Sequence, residues 1–147
     1  MAFAARETMN RHQARELAFS LLFEHEFNKE TGMGEIYDLA KETRDAEENK
    51  YVRTVMAGVA EHEAELESAI SEAARGWALS RISRVSLAIL KLSAYEMLYC
   101  PDIPIRVSLN EAIELVKTYD EESARSFVNG ILNTLAEAAK AKRPDEA

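Results

Sequence analysis

The chain has 147 residues, 47% of them hydrophobic and 30% charged, which fits one folded domain and excludes a disordered chain. Five glycines and three prolines are too few turn residues for a sandwich or barrel, and one cysteine, Cys100, excludes an intramolecular disulfide framework. The net charge of −8 excludes coating of nucleic acid by bulk charge, yet the charge is uneven: residues 24–72 hold 5 basic and 14 acidic side chains, whereas residues 1–23 hold 3 and 2, and residues 73–106 hold 5 and 2.

Met1–Thr8 lacks the apolar core of a secretion signal. The longest mostly apolar stretch, Val85–Leu92, is too short to span a bilayer, so a cytoplasmic protein without membrane contact is expected. The first helix opens at Arg11-His12-Gln13-Ala14-Arg15-Glu16 and carries an apolar stripe at Ala14, Leu17, Ala18, Leu21 and Leu22. Arg11 and Arg15 project within about 40° of each other at the edge of that stripe. Cations at a helix N-terminus oppose its dipole, and a phosphate bridging them and the unpaired N–H groups relieves this. The plainer reading is a pair of solvated arginines beside Glu7 and Glu16. Phe19, Phe23 and Phe27 form a second strip roughly 160° from Leu17 and Leu21, to be buried in a bundle or docked on a partner.

Asn28–Gly34 reads as a loop. A helix from about Asn49, with Val52, Val55, Met56, Val59, Leu66, Ala69, Ile70 and Ala73 on one face, ends at Arg75-Gly76. Its glutamates, Glu61, Glu63, Glu65, Glu67 and Glu72, read as a solvated surface. Val85–Tyr99 is apolar around nearly its whole circumference and must be surrounded by other helices. Pro101 and Pro104 make a turn that no helix crosses. Cys100 beside them reads as a half-buried, inert thiol. Ser108-x-x-Glu111 reads as a capping box opening a helix at Asn110–Tyr119, and Asp120 as the cap of the last helix. Gly130, inside that helix, costs about 1 kcal/mol relative to alanine. Close helix packing explains it; so does an approaching RNA backbone, with Asn129 reading base edges and Phe127 stacking. The tail Lys140–Ala147 reads as frayed. The fold class is all-α, with six or seven helices.

The enzyme templates fail. Gly32-Met33-Gly34 lacks the third glycine and the preceding strand of a dinucleotide loop. His62-Glu63-Ala64-Glu65-Leu66 has leucine where a zinc-protease helix needs its second histidine. No catalytic centre, metal site or cofactor is expected.

Three blocks carry a resemblance. Arg11-x-x-Ala14-Arg15-Glu16-x-Ala18-x-x-Leu21-x-Phe23 opens the chain. Val85-x-x-Ala88-Ile89-Leu90-x-Leu92-x-x-Tyr95-Glu96 lies in the middle. Ile105-x-Val107-x-Leu109-Asn110-Glu111-Ala112-Ile113-Glu114-Leu115-Val116-Lys117 is followed by Phe127-Val128-Asn129-Gly130-Ile131-Leu132. In this order they resemble the NusB family of transcription antitermination factors. The resemblance implies a helical bundle in two packed subdomains, about 8–75 and 78–140, with a tail at 141–147. It also implies a non-enzymatic factor that binds the single-stranded boxA segment of ribosomal RNA transcripts together with the ribosomal protein NusE. That complex joins RNA polymerase and suppresses termination. Some members form homodimers that hide the RNA surface. The family's RNA-binding residues fall on Arg11, His12, Gln13, Arg15, Phe127 and Asn129, with His12 and Gln13 at positions often basic in relatives. The partner-binding positions fall on Phe23, Glu16, Ser80 and Ser86, and the two serines lack the charge that some members carry there. Two rivals are a dimerising helical module that binds no RNA and a targeting domain related to RNA cytosine methyltransferases.

Overall fold

The computed structural model describes residues 9–44 and 46–146. Met1–Thr8, on which the reading of a missing secretion signal rests, lies outside the described residues. The described residues form helices joined by turns, without strands. The chain divides into two compact units, up to Glu61 and from His62.

In the first unit, α1 spans Arg11–Phe27 and packs on α2, Met33–Thr43. Asn10 opens α1: its Oδ1 accepts from the Gln13 backbone N–H at 2.7 Å, and Gln13 Oε1 accepts from the Asn10 N–H at 3.0 Å. This reciprocal cap satisfies two donors that the helix start leaves open. Ala14, Ala18, Leu21 and Leu22 are buried, as their spacing predicts, while Leu17 is only half-buried. α2 begins inside the stretch expected to be a loop. Buried Met33 anchors its first turn, and Gly34 lies within the helix.

A polar clamp ties α2 to the start of α3, Lys50–Ala73. The buried Tyr37 hydroxyl donates to the Glu47 carbonyl at 2.7 Å and accepts from the Asn49 N–H at 2.8 Å. Arg53 lies over the Tyr37 ring and pairs with Glu48 at 2.8 Å and Asp38 at 3.1 Å, while Lys41 also pairs with Glu48. Hydrogen bonds from Arg53 and Lys41 hold the Glu48 carboxyl down at about 2.

α3 leaves helical geometry at His62 (φ −108°, ψ 17°), whose ring stacks on Tyr99 at 3.9 Å. The division between units falls here rather than at Arg75-Gly76, because Leu66 and Ile70 are core residues and Glu63 and Glu67 serve the second unit. In that unit α4 (Arg84–Tyr99), α5 (Ile105–Tyr119) and α6 (Glu122–Lys140) each pack on the other two. Every residue of α4 from Ser86 to Met97 is buried, as an all-round apolar helix requires.

Three buried polar residues of α4, Ser86, Lys91 and Glu96, have partners, whereas the buried Ser93 Oγ has none among the described residues. Lys91, with no exposed surface, pairs with Glu63 at 2.8 Å and Glu67 at 3.1 Å, so two glutamates of the supposed solvated face neutralise a buried ammonium. Ser108 donates to buried Glu96 at 2.6 Å, and Ser86 to Asp120 at 2.6 Å. These contacts correct two expected caps. α5 begins at Ile105 directly after Pro104, which places Ser108 within the helix. The Asp120 carboxylate reaches Ser86 and the Glu121 N–H, while Glu121 is the N-cap of α6.

The tail is fastened rather than frayed. Arg143 donates to the carbonyls of Glu96, Met97 and Cys100 at the end of α4 and to Ile103, at 2.6–3.0 Å, and pairs with Glu146. Glu146 accepts from the Ile105 N–H at 2.7 Å, at the start of α5. A guanidinium on the last carbonyls of one helix and a carboxylate at the first N–H of the next match both dipoles.

Two outcomes follow. Arg143→Ala lowers unfolding free energy by about 3 kcal/mol, since it leaves several carbonyls without a charged donor; an unchanged denaturant midpoint contradicts the latch. The depressed Glu48 carboxyl contributes stability that is present above the ordinary carboxylate range and lost as pH falls toward about 2. Glu48→Gln therefore narrows the stability gap between pH 7 and pH 2 in urea titrations, and an identical pH dependence in both proteins contradicts the clamp.

Candidate nucleic-acid interface

Besides Arg53 on Tyr37, each unit holds a cluster in which arginine meets an aromatic ring. In the first unit, the Arg11 guanidinium lies 4.5 Å from the centre of the Tyr51 ring and that of Arg15 lies 5.7 Å from it. The α1 cap sets the helix start, so Arg11 and Arg15 are one turn apart and meet the ring at the start of α3. Their environments differ. Arg11 is exposed, whereas Arg15 is only 5% exposed. Equal angular position does not mean equal depth, and Arg15 is in large part a packing residue. His12 is exposed, with Nε2 3.9 Å from Glu16. Gln13 is exposed, but its amide oxygen is engaged in the cap with Asn10.

In the second unit, Phe127 of α6 is half-buried, and its ring lies 5.1 Å from that of Trp77 at a 55° tilt. Arg81 lies 5.2 Å over the Trp77 ring. Gly130 is exposed, and a Cβ added there meets nothing within 4 Å. Close helix packing therefore does not account for this glycine. Asn129 stands about 200° round the helix from Phe127, and its Oδ1 is buried without a hydrogen-bond partner. It does not share a base-reading face with Phe127.

The partner-side positions are also dispersed. Phe19 is buried, Phe23 half-buried and stacked on Phe19 at 6.2 Å, and Phe27, edge-on to Phe23, is 59% exposed. Glu16 is half-buried and Ser80 is exposed. Ser86 is 2% exposed and bonded to Asp120, so in the folded chain it does not face a partner.

Burial, with Glu96 and Asp102 nearby, pushes the Cys100 thiol up to about 11, which disfavours the thiolate. No helix among the described residues is long and apolar enough to cross a membrane. Tyr51, Trp77 and Arg81 were not expected from the sequence. The only signal for Trp77 was a tryptophan placed in a turn with arginines on both sides.

The model of the NusB family matches residues 12–137. The chain belongs to the NusB family. Transcription antitermination protein NusB of Clostridium acetobutylicum is 38% identical over 136 residues, covering 91% of this chain and all of that protein. The protein of the same name from Carboxydothermus hydrogenoformans is 42% identical over 137 residues, covering 88% and 94%. Among solved structures, T. maritima NusB superposes with a TM-score of 0.80 at 34% identity, covering 94% of this chain and 98% of that one. A structure of antitermination factors NusB and NusE in complex with double-stranded RNA shares the fold at a TM-score of 0.76 and 24% identity, covering 87% and 96%.

The split between the arginines is measurable in this NusB-family chain. Arg15→Ala costs about 1–3 kcal/mol, because it removes a buried stem and its polar contacts, whereas Arg11→Ala stays within about 0.5 kcal/mol, as surface changes do. Equal thermal shifts for the two variants contradict the assignment.

Proposed function

We propose that this chain is a transcription antitermination factor that holds the single-stranded boxA segment of ribosomal RNA transcripts together with NusE, in a complex that joins RNA polymerase. It acts by binding, not by catalysing a reaction. The observation that carries this reading is the exposed Arg11 guanidinium lying on Tyr51 at the start of α1. A phosphate there meets a cation, and the first N–H groups of the helix are close by. Arg15 fixes the ring from the buried side, and exposed His12 extends the polar surface. Gln13 contributes chiefly by holding the helix start. Phe127 supplies stacking surface in the second unit.

The protein partner fits the charge map. Residues 24–72, with 14 acidic against 5 basic side chains, suit a basic ribosomal protein. Glu16, Phe23 and Ser80 are accessible to it, while Ser86 is not. The relatives, transcription antitermination proteins NusB, support the antitermination role, and a NusB–NusE–RNA complex shares the fold. A homodimer is a second reading, favoured by the 59% exposure of Phe27 at the end of the phenylalanine strip.

Filter binding with a boxA oligonucleotide tests the proposal. Arg11→Ala weakens binding about tenfold, the value of one charge-assisted contact near 1.5 kcal/mol, with an unchanged melting temperature. Equal affinity of the variant and the original chain overturns it.

A further inference from the structure

The cluster around Trp77 reaches further than a packed aromatic pair. α3 ends at Ala73, and the chain turns through Arg75 (φ 50°) and Gly76 (φ 92°), both left-handed. That turn delivers Trp77 to the surface, where it remains 47% exposed. The 3-10 turn Leu79–Arg81 then brings Arg81 back over the indole at 5.2 Å, while Phe127 supports the ring from α6 at 5.1 Å. The indole thus has Arg81 and Phe127 as neighbours while the residue stays 47% exposed. An exposed tryptophan under a guanidinium provides both elements that single-stranded nucleic acid uses, a stacking face and a cation.

Two further observations fit the same occupant. Gly130 lies one turn on from Phe127, about 60° round the helix, and nothing occupies the space of its missing Cβ. A helix-weakening residue with no packing reason leaves the backbone beside the aromatic pair open to close approach. The exposed side chains beside it in sequence are also basic within an acidic chain: Arg75, Arg81 and Arg84 are exposed. That charge favours a phosphate-bearing strand over a basic protein segment.

We infer that Trp77, backed by Phe127 and flanked by Arg81, is a base-stacking platform: the open indole surface takes one unpaired RNA base and Arg81 takes the phosphate beside it. The inference rests on the RNA-binding reading above and adds Trp77 and Arg81 to it. Trp77 is the sole tryptophan of the chain, so intrinsic fluorescence reports on this position alone.

The test titrates the whole protein with a single-stranded boxA oligonucleotide, and separately with the same strand made abasic. Tryptophan emission and RNA affinity are both recorded. The base-bearing strand quenches Trp77 and the abasic strand does not. Trp77→Ala weakens binding about 5- to 100-fold, the range of one lost stack, and Trp77→Phe recovers most of it. Arg81→Ala weakens both strands alike. Circular dichroism melts show that the variants fold, as expected for a half-exposed side chain. If RNA binds with unchanged emission and Trp77→Ala binds equally well, the platform is wrong while the RNA reading survives. If the original chain binds no RNA, the RNA reading fails and takes the platform with it. If the emission responds only to an added protein partner, Trp77 belongs to a protein interface and the inference is overturned.

Discussion

A guanidinium resting on an aromatic ring is attracted by the ring's electrons while its N–H edges remain available to another ligand. In a chain with 26 acidic and 18 basic side chains, that arrangement holds a cation in place and leaves its charge for phosphate. Several other cations are engaged. Lys91 is neutralised by Glu63 and Glu67, and Arg143 is surrounded by helix-end carbonyls. Arg53 also lies on a ring, that of Tyr37, but Glu48 and Asp38 occupy its edge. Arg11 on Tyr51 and Arg81 on Trp77 form no ion pair among the described residues. The aromatic ring positions each of them without cancelling its charge.

The longer helices of this fold were legible because their stripes are local, whereas α2, Met33–Thr43, was not read as a helix. The all-round apolar pattern of Val85–Tyr99 announced a surrounded helix, and α4 is buried from Ser86 to Met97. What could not be read was how polar atoms are satisfied across the chain. Lys91 finds its carboxylates 28 and 24 residues upstream, and Ser108 donates to Glu96 instead of capping its own helix. Arg143 meets carbonyls more than 40 residues away. A capping signature identifies residues able to cap; tertiary partners decide whether they do. The Asn10-x-x-Gln13 cap of α1, by contrast, is local and was open to reading.

The candidate site divides the same way. Helical angle placed Arg11 and Arg15 together, but angle carries no depth, and only Arg11 is on the surface. Their shared ring, Tyr51, lies on another helix. Phe127 was legible from its own block, whereas Trp77 sits 50 residues upstream in a turn that no periodicity describes. The same angular logic separates Asn129 from Phe127 by about 200°, which was available from the sequence and limits what that block can read.

The central claim is that a very small number of ring-held cations carries the electrostatics of RNA binding. The dependence of affinity on salt counts them. For a single strand, two or three phosphate contacts give a slope of log affinity against log salt of about −1.4 to −2.1, and that is the slope predicted for this chain with a boxA oligonucleotide. A slope steeper than about −4, which requires six or more neutralised phosphates, or no salt dependence at all, contradicts the account.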